Sequence, residues 1–223
     1  MMSDLIKNFF LIQKLTFKKY SILRITQIIN LMKLNLKGNI LDVGAKKTPN
    51  NISNVLVNEK TYLDKFSNNS EDLKIDLEIE NKLEEHEGNK FDNVLLMNVL
   101  EHIYNYDHCL KTCFFFTKKN GKLVGSTPFL FRYHGSPNDY FRFTKDALEK
   151  MLTNAGFREV SIQPICAGIF ISFYSNIFLL TSKIPLLSNL LLTICIFIDW
   201  LLSFLTRSYS KILPVGYFFT AIK

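Results

Sequence analysis

Each apolar run in the central part of the chain ends at a glycine, a proline or a polar residue. These residues, with the run that each follows, are Gly44 (39–43), Asp64 (61–63), Asp76 (73–75), Asn98 (91–97) and Pro128 (122–126). Ligands of open α/β sheets bind outside the carboxyl ends of the strands. A glycine there lets the backbone approach a ligand closely. Asp64 can accept hydrogen bonds from a ribose diol and Asp76 from an adenine amine, although each Asp taken singly is also typical of a turn.

A second group of reactive side chains follows the fifth apolar run. His134 is the candidate general base for a hydroxyl acceptor, with Asp139 orienting either the base or the substrate and Tyr140 beside them. Arg132 or Arg142 can hold a phosphate or carboxylate of the acceptor. Alternatively, the turn residues of this segment only build a tight loop, in which Arg142 bridges to a carboxylate.

The apolar runs alternate with helical patterns, which predicts an α/β fold with a parallel sheet covered on both faces. Two helices are predicted from their capping and terminating residues. The first comprises residues 107–117, with Asp107 as its N-cap and Gly121 as the residue that terminates it. The second comprises residues 144–155, with Thr144 as its N-cap and Gly156 as the terminating residue.

Seven motifs run through this part of the chain: ILDVGA (40–45), YLD (62–64), IDLE (75–78), FDNVLLMNVLEHI (91–103), KKNGKLVGSTPF (118–129), HGSPNDYFRFT (134–144) and GYFFTAIK (216–223). With them the chain resembles the class I S-adenosylmethionine-dependent methyltransferases, in particular the small type 11 branch associated with surface-sugar pathways. The likeness runs from residue 39 to about 157 and includes the final strand.

The resemblance implies a Rossmann-like sheet of seven strands with an antiparallel last strand, and S-adenosylmethionine as the cofactor. It also implies that His102, after the fourth strand, shapes the substrate site from behind. The implied cofactor residues are Asp42, Gly44 and Ala45 at the methionine end, Asp64 at the ribose hydroxyls, Asp76 and Leu77 beside adenine, and Asn98 and Val99 closing the pocket.

One position departs from the family pattern. Lys46 stands where the family usually has a second glycine, as in DVGxG, and the Asn-rich stretch 46–60 is short for the usual first helix. Lys46 either weakens cofactor binding or points outward, in which case Gly44 suffices. Two functions stay open: an active methyltransferase, and a membrane-associated adaptor that keeps the fold with weak or no activity.

The net charge of the 223-residue chain, +7, is unevenly distributed. Residues 1–38 contain seven basic and one acidic side chain. Residues 39–157 contain fifteen basic and seventeen acidic side chains, and residues 158–223 contain five basic and two acidic side chains. The catalytic part is slightly acidic and the fourth strand is followed by NVLEH rather than an NPPY-like motif, which argues against a nucleic-acid substrate. The basic flanks favour an anionic membrane surface.

The chain is predicted to have three parts. Residues 1–38 form basic amphipathic helices that end at Gly38, and residues 166–210 form an apolar helical insertion. The methyltransferase domain comprises 39–165 and 211–223.

The insertion holds two uncharged runs of about 15–17 residues. Each is about 23–26 Å long as a helix, short of the ~30 Å hydrocarbon core of a bilayer. If the last strand rejoins the sheet, a single crossing is excluded. Two core helices of a soluble domain stay open, but a shallow or interfacial helix pair is favoured. This predicts a cytoplasmic enzyme attached peripherally or by a hairpin to the inner membrane, with a small or lipid-linked acceptor such as a cell-surface glycan precursor.

The four cysteines form no CxxC pair. Cys109 and Cys113 lie four residues apart beside His108, a spacing that can hold a metal. Small apolar residues on a buried helix face are the favoured interpretation. The sequence therefore predicts no metal site.

Overall fold

The computed structural model describes residues 2–44, 60–66, 70–79, 83–86, 88, 90–135, 137–205, 209 and 213–223. Its helices are α1 (Met2–Lys7), α2 (Phe9–Phe17), α3 (Ile22–Leu34), α4 (Tyr106–Phe116), α5 (Lys145–Asn154), α6 (Ile169–Thr181) and α7 (Pro185–Leu202). Its strands are β1 (Ile40–Val43), β2 (Thr61–Leu63), β3 (Phe91–Met97), β4 (Thr117–Pro128), β5 (Arg158–Ala167) and β6 (Pro214–Ile222).

The strands form one sheet in the order β2-β1-β3-β4-β6-β5. The first four strands of this order are parallel, and Asp42 of β1 pairs with Tyr62 on one side and Leu95 on the other. Apolar side chains fill β1 and β3, which are buried nearly throughout. Because these strands are parallel, their carboxyl ends meet at one edge of the sheet.

The last strand is antiparallel, which confirms the expectation from the family resemblance. The Phe129 amide donates to the Val215 carbonyl (2.7 Å), and the Lys223 amide donates to the Gly121 carbonyl (3.1 Å). The start of β6 therefore pairs with the end of β4, and the end of β6 pairs with the start of β4. The described residues form six strands rather than the seven implied. The predicted strand 73–75 is wrong, because in this run only Leu73 makes a bridge, to Leu63.

The helix α4 begins earlier than predicted. Asn105, not Asp107, is its N-cap, and the Asn105 side chain accepts from the His108 amide (3.3 Å). The helix does not extend to Gly121: the chain passes from Phe116 directly into β4, which is longer than the predicted run 122–126.

The following helix, α5, is confirmed with its termini. The Thr144 hydroxyl accepts from the Ala147 amide (3.2 Å), which satisfies one of the free N–H groups of the first turn. Gly156, directly after the C-cap, has φ of +102°, a conformation that favours glycine.

The N-terminal segment folds into separate helices, interrupted at Asn8 and between Lys18 and Ser21. The prediction that Gly38 ends the last of them is wrong. Helix α3 ends at Leu34, and Asn35 takes the left-handed conformation (φ +45°) that closes a helix.

The chain divides into two compact units. The first comprises Met1–Asn30, Pro128–Arg132 and Pro164–Tyr217; the second comprises Leu31–Thr127, Tyr133–Gln163 and Phe218–Lys223. The first unit contains nine basic residues (Lys and Arg) and two acidic residues (both Asp), so its net charge is +7. The second unit contains eighteen basic and eighteen acidic residues and has no net charge.

In the first unit, α6 packs against α7 and α2 also contacts α7. A buried acid ties the start of α6 to α7: Asp199 accepts from the amides of Phe170 (3.2 Å) and Ile171 (2.7 Å) and from the Tyr209 hydroxyl (2.5 Å). Burial, together with this contact to Asp199, raises the pKa of Tyr209 to about 12.

The same helix pair leaves many large apolar side chains exposed. Helix α7 is long and apolar enough to cross a membrane, with mean hydropathy 1.9 over 18 residues and 33% of that window buried. Length and composition alone do not separate a spanning helix from a core helix. The most exposed apolar side chains of the pair and its flanks are Phe173, Leu180, Leu186, Phe204 and Leu205, between 62% and 78% exposed.

In the second unit, the sheet core leaves no room at Gly125 of β4. A Cβ there would overlap the Phe219 ring of β6 and lie 2.9 Å from the Leu96 carbonyl oxygen of β3. By contrast, a Cβ at Gly88 would meet nothing within 4 Å.

We therefore expect Gly125→Ala to lower the free energy of unfolding by about 1–3 kcal/mol, as overpacked cores do. Gly88→Ala is the matched control and should change it by less than about 0.5 kcal/mol. Urea denaturation followed by circular dichroism measures both. Equal stability of the two variants would contradict the close packing of the Phe219 ring of β6 against Gly125 of β4.

Candidate functional site

A cavity of about 850 Å³ opens in the second unit at the carboxyl ends of β1, β2 and β3. Its size suits a nucleotide-sized ligand. Eight predicted site residues line it: Gly44, Asp64, Asp76, Leu77, Asn98, Val99, His102 and Tyr140.

A close approach between the ends of β1 and β3 forms the floor of the cavity. Gly44 has φ of +69°, and a Cβ there would lie 2.7 Å from Val99 Cγ1. Asn98 also has a positive φ (+54°), which asparagine tolerates better than most residues. Its amide donates to the Ser126 carbonyl (2.8 Å), so the turn after β3 is fixed to β4.

Two half-buried carboxylates, Asp64 and Asp76, line the cavity. Asp64 Oδ1 accepts from the Phe66 amide (2.8 Å). Asp76 accepts from the Glu78 amide (3.0 Å) and from Lys65 Nζ (3.0 Å). Burial raises the pKa of Asp76, but these two hydrogen bonds outweigh it and leave that pKa lowered. Asp76 is therefore an anion that can accept hydrogen bonds from a ligand.

Glu78 fixes the loop that closes the cavity, a role the sequence did not indicate. Its carboxylate accepts from the amides of Tyr104 (2.9 Å) and Asn105 (3.0 Å). The Tyr104 ring stacks on Phe141 (5.8 Å) and meets Tyr140 edge to face (5.4 Å). Glu78, Tyr104 and Tyr140 all line the cavity.

Two histidines meet a buried acid beside the cavity. Glu101 Oε1 lies 3.8 Å from His102 Nε2 and 3.6 Å from His134 Nε2, and the two imidazole rings are 4.9 Å apart. The sequence predicted both histidines but gave Glu101 no role. The available signal was an acid directly before His102, in the short turn that follows the buried strand β3.

His134, Asp139 and Arg142 form a second linked group. Asp139 Oδ2 accepts from the His134 amide (2.9 Å) and lies 3.4 Å from His134 Nδ1. The Arg142 guanidinium binds both carboxylate oxygens of Asp139. These hydrogen bonds hold the pKa of Asp139 well below its usual range and raise that of Arg142. The bridge of Arg142 to a carboxylate, one alternative for this loop, is therefore present.

Five of the described residues that the sequence predicts for the site do not line the cavity: Asp42, Arg132, His134, Asp139 and Arg142. Asp42 is buried within β1 (1% exposed) and does not line the cavity. Arg132 belongs to the first unit, where it donates to the Ser175 carbonyl (3.4 Å). Ala45 and Lys46 lie outside the described residues.

No protein-family model matches the chain, and no curated protein is significantly similar to it in sequence. Solved structures do match. A SAM-dependent methyltransferase from Archaeoglobus fulgidus is 16% identical with a TM-score of 0.51, covering 90% of this chain and 94% of that one.

Two further structures match over the whole of this chain. A SAM-dependent methyltransferase from Thermotoga maritima, described as a possible histamine N-methyltransferase, has a TM-score of 0.53 at 11% identity, with 98% of that chain covered. The 1,6-didemethyltoxoflavin-N1-methyltransferase of Burkholderia thailandensis, with S-adenosylhomocysteine bound, has a TM-score of 0.52 at 15% identity, with 86% covered. At such identities the likeness establishes the fold, which is that of the SAM-dependent methyltransferases.

Proposed function

We propose that the protein is an S-adenosylmethionine-dependent methyltransferase that acts on a small-molecule acceptor. The observation that carries the proposal is the cavity at the carboxyl ends of β1–β3, which Gly44, Asp64 and Asp76 line together. A fold alone does not fix a function. Here the fold and the chemistry of this cavity agree.

The residues of the cavity suit the cofactor. The Asp64 carboxylate is the acceptor for the ribose hydroxyls, and Asp76 with Leu77 flanks the adenine. Asn98 and Val99 close the pocket, and the backbone at Gly44 lies closest to the methionine end. The cofactor supplies an electrophilic methyl group on a sulfonium sulfur, and the protein's task is to align it with the acceptor.

On the acceptor side, His134 is the proposed proton acceptor. Carboxylates face both of its ring nitrogens: Glu101 lies 3.6 Å from Nε2 and Asp139 3.4 Å from Nδ1. Such an arrangement stabilises the imidazolium that forms when a base removes a proton. His102 and Tyr140 line the cavity next to this group and would contact the acceptor.

The first unit supports attachment to a membrane. Leu180 and Leu186 are 74% and 72% exposed at the two sides of the turn that joins α6 to α7, and Lys183 in that turn is exposed. The unit's net charge of +7 favours anionic lipid. An exposed apolar surface with basic side chains is typical of an interfacial helix pair.

A lipid-linked acceptor agrees with this placement, because an enzyme held at the membrane meets such substrates there. The narrower assignment to a cell-surface glycan precursor rests on the sequence resemblance to the type 11 branch. The membrane proposal and the methyl-transfer proposal depend on different units of the chain and are tested separately.

Isothermal titration with S-adenosylmethionine tests cofactor use. We expect saturable binding, weakened about 10-fold or more by Asp64→Asn, because hydrogen bonds to a charged group contribute about 1.5–3 kcal/mol. Asp107→Asn, an exposed acid on α4, removes the same charge and should leave binding unchanged. Absence of binding at millimolar cofactor would favour the adaptor alternative.

Turnover tests the role of His134. Release of S-adenosylhomocysteine in the presence of a membrane-lipid extract should fall about 10²–10⁴-fold in His134→Gln, while the Kd for the cofactor stays the same. His86→Gln is the control, since His86 lies in a short turn outside the cavity lining. Unchanged turnover in His134→Gln would remove this residue from the reaction.

Flotation with anionic vesicles tests the membrane surface. The double variant Leu180→Ser/Leu186→Ser should bind the vesicles at least about tenfold more weakly. Burial of two leucine side chains in the lipid contributes about 3 kcal/mol or more to binding. Met32→Ser, which changes an exposed apolar residue of the second unit, should bind like the wild type. Equal flotation of the double variant and the wild type would contradict the proposal.

A further inference from the structure

Glu101 is a buried carboxyl group, and one of its oxygens lacks a hydrogen bond from the described residues. The side chain is 0% exposed, and its Oε1 accepts no hydrogen bond from any of them. Its other oxygen accepts only a long hydrogen bond from the Thr127 hydroxyl (3.4 Å). A carboxylate oxygen that is buried without a hydrogen bond is unfavourable. A ligand of positive charge would remove this cost.

Two imidazole nitrogens converge on this oxygen. Glu101, His102 and His134 each offer one potential ligand atom, and these three atoms lie within 4.8 Å of one another. The Nε2 atoms of His102 and His134 lie 3.8 Å and 3.6 Å from Glu101 Oε1. Two ligands of a tetrahedral zinc ion at ~2.1 Å are about 3.4 Å apart. The two distances from Glu101 Oε1 to the imidazole nitrogens therefore need to close by only a few tenths of an ångström, and the two imidazole nitrogens, which lie within 4.8 Å of each other, by at most about 1.4 Å.

One of the two remaining ring nitrogens, His102 Nδ1, is already fixed in the way that metal-binding histidines require. His102 Nδ1 lies 2.5 Å from the Asn138 carbonyl oxygen. A carbonyl can only accept, so Nδ1 carries the proton and the Nε2 lone pair of the neutral ring is free to bind a cation. His134 Nδ1 lies 3.4 Å from Asp139 Oδ2, longer than an ordinary hydrogen bond, and Arg142 holds Asp139 in place. A backbone carbonyl and a carboxylate are the usual outer partners of metal-bound imidazoles.

From these contacts we infer that Glu101, His102 and His134 form a binding site for one divalent first-row transition-metal cation, such as Zn²⁺. Two imidazoles with one carboxylate suit Zn²⁺, Fe²⁺ or Co²⁺ better than Mg²⁺ or Ca²⁺, which prefer oxygen ligands. Arg142 and Asp139 form an ion pair with each other, so Glu101 is the acid of this cluster that faces the two imidazoles.

The chemical role of the inferred cation rests on the proposed function, methyl transfer. The binding of the cation does not depend on that function. His102 lines the cavity, so a cation held by this cluster would lie beside the space proposed for the acceptor. The cation would lower the pKa of an acceptor hydroxyl bound to it, and the released proton would pass to solvent water in the open cavity. In the metal-loaded protein His134 is then a ligand, and the cation takes over its part in activating the acceptor.

Zinc titration of the full-length protein, prepared without a polyhistidine tag and treated with a chelator, tests the inference. We expect one Zn²⁺ per chain at micromolar Kd or tighter, and d–d absorption in the visible range when Co²⁺ replaces it. Glu101→Gln and His134→Gln should each weaken Zn²⁺ binding at least tenfold. His108→Gln, on α4 outside the cluster, should bind like the wild type.

Circular dichroism verifies that each variant is folded, and His134, which is partly exposed, is the substitution less harmful to folding. Absence of saturable Zn²⁺ binding, or equal binding by the wild type and both cluster variants, would overturn the inference. An equal loss in His108→Gln would also overturn it. Cofactor titration of the same samples separates the two proposals: Zn²⁺ binding without S-adenosylmethionine binding counts against the proposed function alone.

Discussion

The placement of Glu101 organises the acceptor side of the site. Its backbone carbonyl accepts from the amides of Tyr140 (2.8 Å) and Phe141 (3.4 Å), which attaches the loop before α5 to the turn after β3. Its carboxylate, closed off from solvent, faces the rings of His102 and His134. Backbone and side chain of one residue thus bring together a loop and a turn that are about forty residues apart in sequence.

The cofactor side depends on a different constraint, the contact of Gly44 with Val99. Without a Cβ, the turn after β1 approaches the turn after β3, and the ends of both strands face one cavity. Asp64 and Asp76 follow from the next segments along the same edge. Function therefore arises where parallel strands end, as the general rule for α/β sheets predicts.

Strand ends were predictable because buried apolar runs have a clear pattern, and most cavity residues follow them directly. Short elements were not. The run 73–75 has the composition of a strand but makes only one bridge, and Asn105 and Asp107 are equally good caps by residue type. Glu101 was missed because an acid in an apolar segment resembles a solvated turn until its burial is known. The sequence also did not indicate that Arg132 and His134, two residues apart, belong to different units.

The central claim, that the carboxyl edge of β1–β3 binds S-adenosylmethionine, is tested most directly by amide chemical shifts. In a ¹⁵N-labelled sample titrated with S-adenosylhomocysteine, we predict that the largest changes occur at the amides of Gly44, Asp64, Leu77 and Val99. The amides of α6 and α7 should not move. Changes confined to the first unit, or no changes at saturating ligand, would contradict the account.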